Sequence, residues 1–288
     1  MTELSIIIVT WNSEHEITPC VESISRNTAD INTELIIIDN YSSDKTPFVL
    51  KKINYPNLQV YLNDENNGYT KAVNQGIKYA KGDYILLLNP DTVLSDNSLM
   101  QLTQFLKNNK GYGACAPRLI NEDGTVQYSI RHFPGFRDMF FEFSLLSYIF
   151  PKSLVFGRWK MKYFDYSTDA DVDQPMAAVL MIQKNVLEEV NSMDERFFMF
   201  FNDVDICRRI WETGYKIRYL SDPEIIHKKG VSVYKNRTKM IKIWDEDCIK
   251  YFTKYNQNAL LLFWLKISLK ISEIIRISFY KLFHEKHK

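Results

Sequence analysis

Four short, strongly apolar runs separated by helix-period segments fill the first ninety residues, and this alternation constrains the fold more than any other feature of the chain. Residues 5–10 (SIIIVT), 34–39 (ELIIID), 58–62 (LQVYL) and 84–89 (YILLLN) have the length and the aliphatic, β-branched content of buried strands. Between them, residues 15–27 and 70–82 carry apolar side chains at helical spacing, and Gly82 reads as the C-cap of the second segment. The pattern predicts an α/β fold: βαβ units on a Rossmann-like, mostly parallel sheet flanked by helices, with right-handed crossovers. In open sheets of this kind ligands bind beyond the carboxyl ends of the strands. Those ends deliver Thr10 and Asn12, Asp39 and Asn40, then Asn89 and Asp91. Each residue alone is equally at home in a turn or a helix cap; their convergence marks a candidate site.

Composition narrows the class. A chain of 288 residues with 45% hydrophobic and 25% charged residues can bury one substantial core. Its 36 basic and 35 acidic residues leave a formal charge of +1, so no global field draws it onto nucleic acid. Cys20, Cys115, Cys207 and Cys248 lie far apart without a CxxC pair, which suggests neither a zinc ribbon nor a disulfide framework and fits a reducing, cytoplasmic compartment. The N-terminal apolar run is short, follows Glu3 and ends in polar residues, so it reads as a buried strand rather than a signal peptide. The segment after it, VTWNSEHE, has neither the GxGxxG of a dehydrogenase nor the glycine-rich basic loop of a nucleotidyltransferase.

From Gly111 to Val172 the alternation gives way to an aromatic-rich stretch, expected to be an acceptor-side insertion that touches lipid, and a second ordered stretch follows from Asp173 to His227. Residues 259–283 are long enough to span a bilayer but are interrupted by Lys266, Lys270, Glu273, Arg276 and Lys281. At about 100° per residue these charges fall within roughly 140° of one another, the pattern of an amphipathic helix lying in a membrane interface. A helix packed on its own domain, or on a second copy of the chain in a homodimer, would show the same pattern.

Asp91 follows the very apolar LLL run, where a carboxylate is costly to bury without a partner. A hard divalent cation would supply one, although Asn-Pro-Asp by itself is a turn sequence. Six motifs then occur in order: VTWN at 9–12, IDNYSSD at 38–44, NNGYTKAVNQGI at 66–77, LLLNPD at 86–91, MDERFFMFFNDVDICRR at 193–209 and GYKIRYLSDPEIIHKKGVS at 214–232. With these the chain resembles the family 2 inverting glycosyltransferases of GT-A fold, particularly the bacterial rhamnosyltransferase-like group. The resemblance spans residues 5–232 and implies a catalytic domain over 1–232, with a nucleotide-sugar half at 1–110 and an acceptor half at 111–232. Residues 233–288 would then form a helical, membrane-associating region.

The resemblance implies that Thr10, Trp11 and Asn12 line the nucleotide pocket and that Asp39 accepts the imino N–H of a pyrimidine base. Asn67, Gly68 and Asn74 belong to the third motif, where glycine allows close backbone approach and the amide serves donor sugar or phosphate; for Asn74 helix packing is the competing reading. Asp91 corresponds to the last carboxylate of a DxD-type motif that binds Mg²⁺ or Mn²⁺, with Asn89 in the first position. His227 would complete the metal shell or touch the diphosphate, with Lys228, Lys229 and Ser232 adding phosphate contacts. Asp203 matches the general base, preceded by Asn202 where relatives more often carry Glu; the alternative for either residue is to cap the following helix. Asp205 is spaced so that it cannot share a helical face with Asp203. Ala177, where relatives commonly have glycine nearby, would tune which sugar fits.

The implied activity is transfer of one sugar, with dTDP-L-rhamnose the favoured donor, to a lipid-linked or surface glycan at the inner face of a bacterial membrane. A UDP-sugar donor is the alternative within the class, and an inactive glycan-binding scaffold the alternative outside it. Absence of a QxxRW motif favours one addition per encounter over processive synthesis.

Overall fold

The computed structural model describes residues 2–28, 31–228 and 237–284, with the side chains of 281–284 excepted. In chain order the elements are β1 (Leu4–Thr10), α1 (Ile17–Arg26), β2 (Thr33–Asp39), α2 (Thr46–Leu50), β3 (Leu58–Leu62), α3 (Tyr69–Tyr79), β4 (Tyr84–Leu88), β5 (Thr92–Leu94) and α4 (Ser98–Asn108). There follow β6 (Tyr112–Ile120), β7 (Ile130–Arg131), α5 (Phe136–Phe143), α6 (Leu146–Ile149), β8 (Ala170–Asp171), β9 (Gln174–Pro175), β10 (Val179–Gln183), α7 (Lys184–Glu189), α8 (Asn202–Glu212) and β11 (Lys216–His227). Two long helices, α9 (Arg237–Tyr255) and α10 (Ala259–His284), close the described chain.

Among the described residues one nine-stranded sheet runs β3-β2-β1-β4-β10-β6-β11-β5, with β8 on β11, and β7 pairs β9 in a small ribbon. The apolar runs of β1 and β2 are buried from end to end because helices cover both faces of the sheet. Alternation along β1 sends Ile7 and Val9 into one core with α3, α7 and α8, and Leu4, Ile6 and Ile8 into another with α1 and α4. The strands expected at 5–10, 34–39, 58–62 and 84–89 all form, with ends shifted by at most a residue. Gly82 is not the cap of α3. The helix ends at Tyr79, Ala80 turns extended with ψ 132°, and Gly82 is needed because a Cβ there would lie 2.6 Å from the Ser5 amide nitrogen. All four cysteines are free and buried.

A third, aromatic-rich cluster joins the middle of the chain to its end: Met139, Trp159, Phe197 and Phe201 pack with Cys248, Tyr251, Leu265 and Leu269. The grip is also polar. Asp247 of α9, wholly buried, accepts the backbone N–H groups of Phe198, Met199 and Phe200 at 2.9–3.1 Å. In this way α9 fixes the loop that enters α8.

Helix α10 departs from the expectation of one charged face turned away from an apolar remainder. Arg276 turns inward and forks onto Asp245 of α9 at 2.7 and 2.8 Å, Leu265 and Leu269 dock on the domain, and Lys266 and Lys270 face out. The outward surface beyond these lysines is apolar: Phe263, Trp264, Ile271, Ile274 and Ile275 are each more than half exposed. No helix of the described residues is long and apolar enough to cross a membrane.

Candidate active site

Strand register brings together residues far apart in sequence. Strands β5 and β11 pair antiparallel with His227 opposite Thr92, which sets the imidazole beside Asp91. The His227 Nε2 to Asp91 Oδ1 distance is 3.4 Å, and Asn89 Nδ2 lies 3.5 Å from the same nitrogen. Asp91 Oδ1 is buried without a hydrogen-bond partner. The other face of the ring is held by Gln127, whose Oε1 sits 2.6 Å from His227 Nδ1. The Gln127 amide has one consistent orientation, because its Nε2 donates to two oxygens, the Asn121 side chain at 2.9 Å and the His227 carbonyl at 3.2 Å. With the amide so oriented Nδ1 carries the ring proton, and in a neutral imidazole Nε2 turns its lone pair, met only by the long Asn89 Nδ2 contact, toward an unpartnered carboxylate oxygen. Two electron-pair donors facing each other fit a cation between them.

The donor set is thin. No cluster of three His, Cys, Asp or Glu suited to a metal occurs among the described residues. A cation held by Asp91 and His227, with Asn89 alongside, would have to complete its shell from phosphate and water, as hard ions at nucleotide sites do. Of the lysines expected to add phosphate contacts, Lys228 pairs with Glu122 at 2.9 Å, while Lys229 and Ser232 lie outside the described residues.

The second carboxylate of the site stands at the start of α8. Asp203 Oδ1 accepts the Val204 amide at 2.8 Å and Oδ2 accepts Gln174 Nε2 at 3.0 Å. Burial pushes its pKa above the usual carboxylate range, opposed by the positive charge of Arg131 and by the backbone amides of Val204 and Ala177. Arg131 is near because β7 pairs β9 with Arg131 opposite Gln174. Neither Asn202 nor Asp203 caps α8: the cap position is Phe201, at φ 58°, and Asn202 instead donates to Thr70 Oγ1 at 3.2 Å and the Met199 carbonyl at 2.8 Å. Asp205, itself wholly buried, points elsewhere, to Arg209, Lys254 and Tyr255.

On the nucleotide side the geometry separates lining residues from those that hold them. Thr10 is buried and donates to Asp39 Oδ1 at 2.8 Å; Ser42 adds its hydroxyl to Oδ1 at 2.6 Å and its amide to Oδ2 at 3.0 Å. Oδ2 keeps a free lone pair for one further donor. Asn12, at φ 54°, uses its side-chain oxygen to accept the Ser43 amide at 2.8 Å, so it ties this loop together. Gly68 allows a close approach, but to protein: a Cβ there would lie 2.7 Å from the Phe198 carbonyl oxygen. Asn74 does not face the donor side, because both ends of its amide are taken by the 193–195 loop, through Met193 N and O at 3.0 and 2.8 Å and Glu195 at 3.1 Å.

One cavity of about 1410 Å³ is lined by Trp11, Asn89, Asp91, Asp203 and His227 of the expected set, and by Ala177. Thr10, Asn12, Asp39, Asn67, Gly68 and Asn74 are not among its lining residues. The lining adds Asn40 and Asn66, which bond each other at 3.0 Å, along with Arg131 and Tyr69. Burial, then the charges of Asp203 and Asp91, push the Tyr69 hydroxyl pKa up. Tyr69 sits inside a recognised motif, and Gln174 lies three residues before Ala177. Gln127 and Arg131 carry no periodicity or motif; the turn that folds back on β6 reveals the first and the β7–β9 pairing the second.

Residues 5–167 match the model of the family described as "Glycosyl transferase family 2". The chain is 24% identical over 240 residues to the N-acetylglucosaminyl-diphospho-decaprenol L-rhamnosyltransferase of Mycobacterium tuberculosis, covering 80% of this chain and 77% of that one. It is 27% identical over 232 residues to the rhamnosyltransferase WbbL of Escherichia coli, covering 77% and 82%. Among solved structures, GalNAc-T7 with UDP, GalNAc and Mn²⁺ superposes with a TM-score of 0.62 at 16% identity, over 93% of this chain and 54% of that one. That last likeness speaks for the fold alone. The sheet is a GT-A sheet, its strand ends carry the family's motifs in order, and the chain belongs to glycosyl transferase family 2 as a glycosyltransferase.

Proposed function

We propose that this enzyme moves a single sugar from a pyrimidine nucleoside diphosphate, with dTDP-L-rhamnose the favoured donor, onto a lipid-linked glycan, inverting the anomeric centre. The observation that carries the reading is the pairing, in one cavity, of a buried unpartnered Asp91 oxygen beside Nε2 of His227 with a second carboxylate, Asp203. The rhamnosyltransferase relatives support the sugar, and the diphospho-decaprenol in one relative's name supports the acceptor class. Asp203 takes the proton of an acceptor hydroxyl as that oxygen bonds to the anomeric carbon. The carbon's bond to the diphosphate oxygen breaks on the opposite side and its electron pair leaves with the nucleotide. Gln174 and the Val204 amide hold the base in place. Asp39 Oδ2 reads the pyrimidine, with Thr10 and Ser42 fixing its angle. A Mg²⁺ or Mn²⁺ at Asp91 and His227 would offset the charge gathering on the departing diphosphate.

The exposed apolar strip of α10, bordered by Lys266 and Lys270, suits a helix lying in the headgroup region of an anionic leaflet and brings the cavity to lipid-borne acceptors. The decisive test is calorimetric titration with UDP, dTDP, GDP and ADP, each with Mn²⁺ or with chelator, on the wild type and on Asp91→Ala. Metal-dependent binding of dTDP above the others, lost in the variant, is the expected result. Preference for UDP would move the donor to a UDP-sugar, and binding of none would leave a glycan-binding scaffold.

A further inference from the structure

The cavity continues past Asp203 into a region that nucleotide chemistry does not account for. Its far walls come from α5 and α6 on one side, including Phe140 and Tyr148, and from the apolar strip of α10 on the other, including Trp264, Ile271 and Ile275. At the junction stands Arg131. Its guanidinium lies 5.3 Å from the Trp159 ring centroid and makes no ion pair within 4.0 Å among the described residues. Of the other cavity cations, Lys160 pairs with Glu142 and Arg276 is forked on Asp245, while Arg237 and Lys239 line the cavity from the start of α9 rather than from the β7–β9 ribbon beside Asp203. Asp203 does not neutralise Arg131 by contact, since its oxygens take Gln174 and Val204. A half-buried, stacked and unpaired guanidinium, with an apolar channel running away from it, matches an amphiphile with an anionic group between a polar head and a hydrocarbon tail.

We infer that Arg131 binds the phosphate linkage of a polyisoprenyl (di)phosphate-linked acceptor, whose hydrocarbon chain leaves between α5–α6 and the outer strip of α10. This rests on the lipid-linked acceptor reading above and adds a residue and a path to it. The phosphate would then hold the acceptor at a fixed distance from Asp203, so that one hydroxyl of the sugar next to the linkage meets the base. Trp159 keeps the guanidinium plane in place before the ligand arrives.

The test uses three probes on the full chain with chelator present, which disfavours diphosphate binding at Asp91: farnesyl diphosphate, farnesol and inorganic pyrophosphate. Binding is followed by calorimetry and by the fluorescence of the cavity tryptophans. The wild type should bind farnesyl diphosphate more tightly than either fragment. Arg131→Ala should weaken farnesyl diphosphate by at least about tenfold and leave farnesol unchanged. Arg131→Lys should recover part of the loss, which guards against a folding defect. Ile271→Asp, on the channel wall, should weaken farnesyl diphosphate and farnesol together. Equal wild-type binding of farnesol and farnesyl diphosphate would sink the lipid-phosphate acceptor itself. Preference for the diphosphate that survives Arg131→Ala, or disappears with Asp91→Ala instead, would leave that acceptor standing and overturn the Arg131 assignment.

Discussion

At Asp203 the same burial that tunes the carboxylate for proton transfer opposes folding. Its raised pKa means that stability present below the ordinary carboxylate range, about 3.9, is lost as pH rises through the folded value. Asp203→Asn should therefore raise Tm at neutral pH by a few degrees while cutting turnover roughly 10²- to 10⁴-fold and sparing nucleotide binding. Turnover of the wild type should fall on the acid side with a midpoint above that of a free aspartate, read from kcat against pH. Gln127 offers a cleaner dissection of the metal pair. Gln127→Leu removes the acceptor that fixes the His227 ring proton on Nδ1, and Mn²⁺ affinity measured with saturating nucleotide should drop about 10- to 100-fold. An unchanged Mn²⁺ affinity would show that His227 needs no such orientation or takes no part.

Elements decide how those residues meet, and here the sequence was readable to different depths. The strands β1, β2 and β4 were legible because a parallel strand buried on both faces is a short, continuous apolar run, whereas β3, read from the sequence as buried, is the edge strand of the sheet and only partly covered. That Asp91 and Asp203 would meet in one cavity was legible because ordered motifs surround them. The partners Gln127, Arg131 and Gln174 were not, since Gln127 depends on a turn that folds back along β6 beside β11, and Arg131 and Gln174 on the two-residue pairing of β7 with β9. Gly82 was misread because a packing glycine and a capping glycine look alike at a helix end. The role of α9 was also hidden: one carboxylate, Asp247, holds three successive amides of the loop before α8. Asp247→Ala should cost about 3–5 kcal/mol in urea denaturation and lower kcat with it, because the loop carrying Phe201 in a left-handed conformation loses its anchor. Loss of stability without loss of kcat would mean that the loop holds its shape unaided.

On the scale of the whole molecule, the polar strand ends, the aromatic insertion and the C-terminal helices enclose one cavity, and the surface beside it is unusually apolar. Flotation with anionic vesicles should carry the protein upward. Trp264→Ser combined with Ile274→Ser should leave most of it behind, and Lys266→Gln with Lys270→Gln should weaken binding about tenfold while flattening its salt dependence. Binding that ignores all four positions would move the membrane contact elsewhere. The cysteines supply a way to watch such contacts. Burial lifts the Cys20 thiol to about 12 and raises Cys115, Cys207 and Cys248 as well, so at neutral pH the native chain presents almost no thiolate. Alkylation of the wild type then clocks the opening of its own core. A cysteine introduced at an exposed position would be the only one to react quickly, which makes every surface residue of this protein separately addressable by a dye or a spin label.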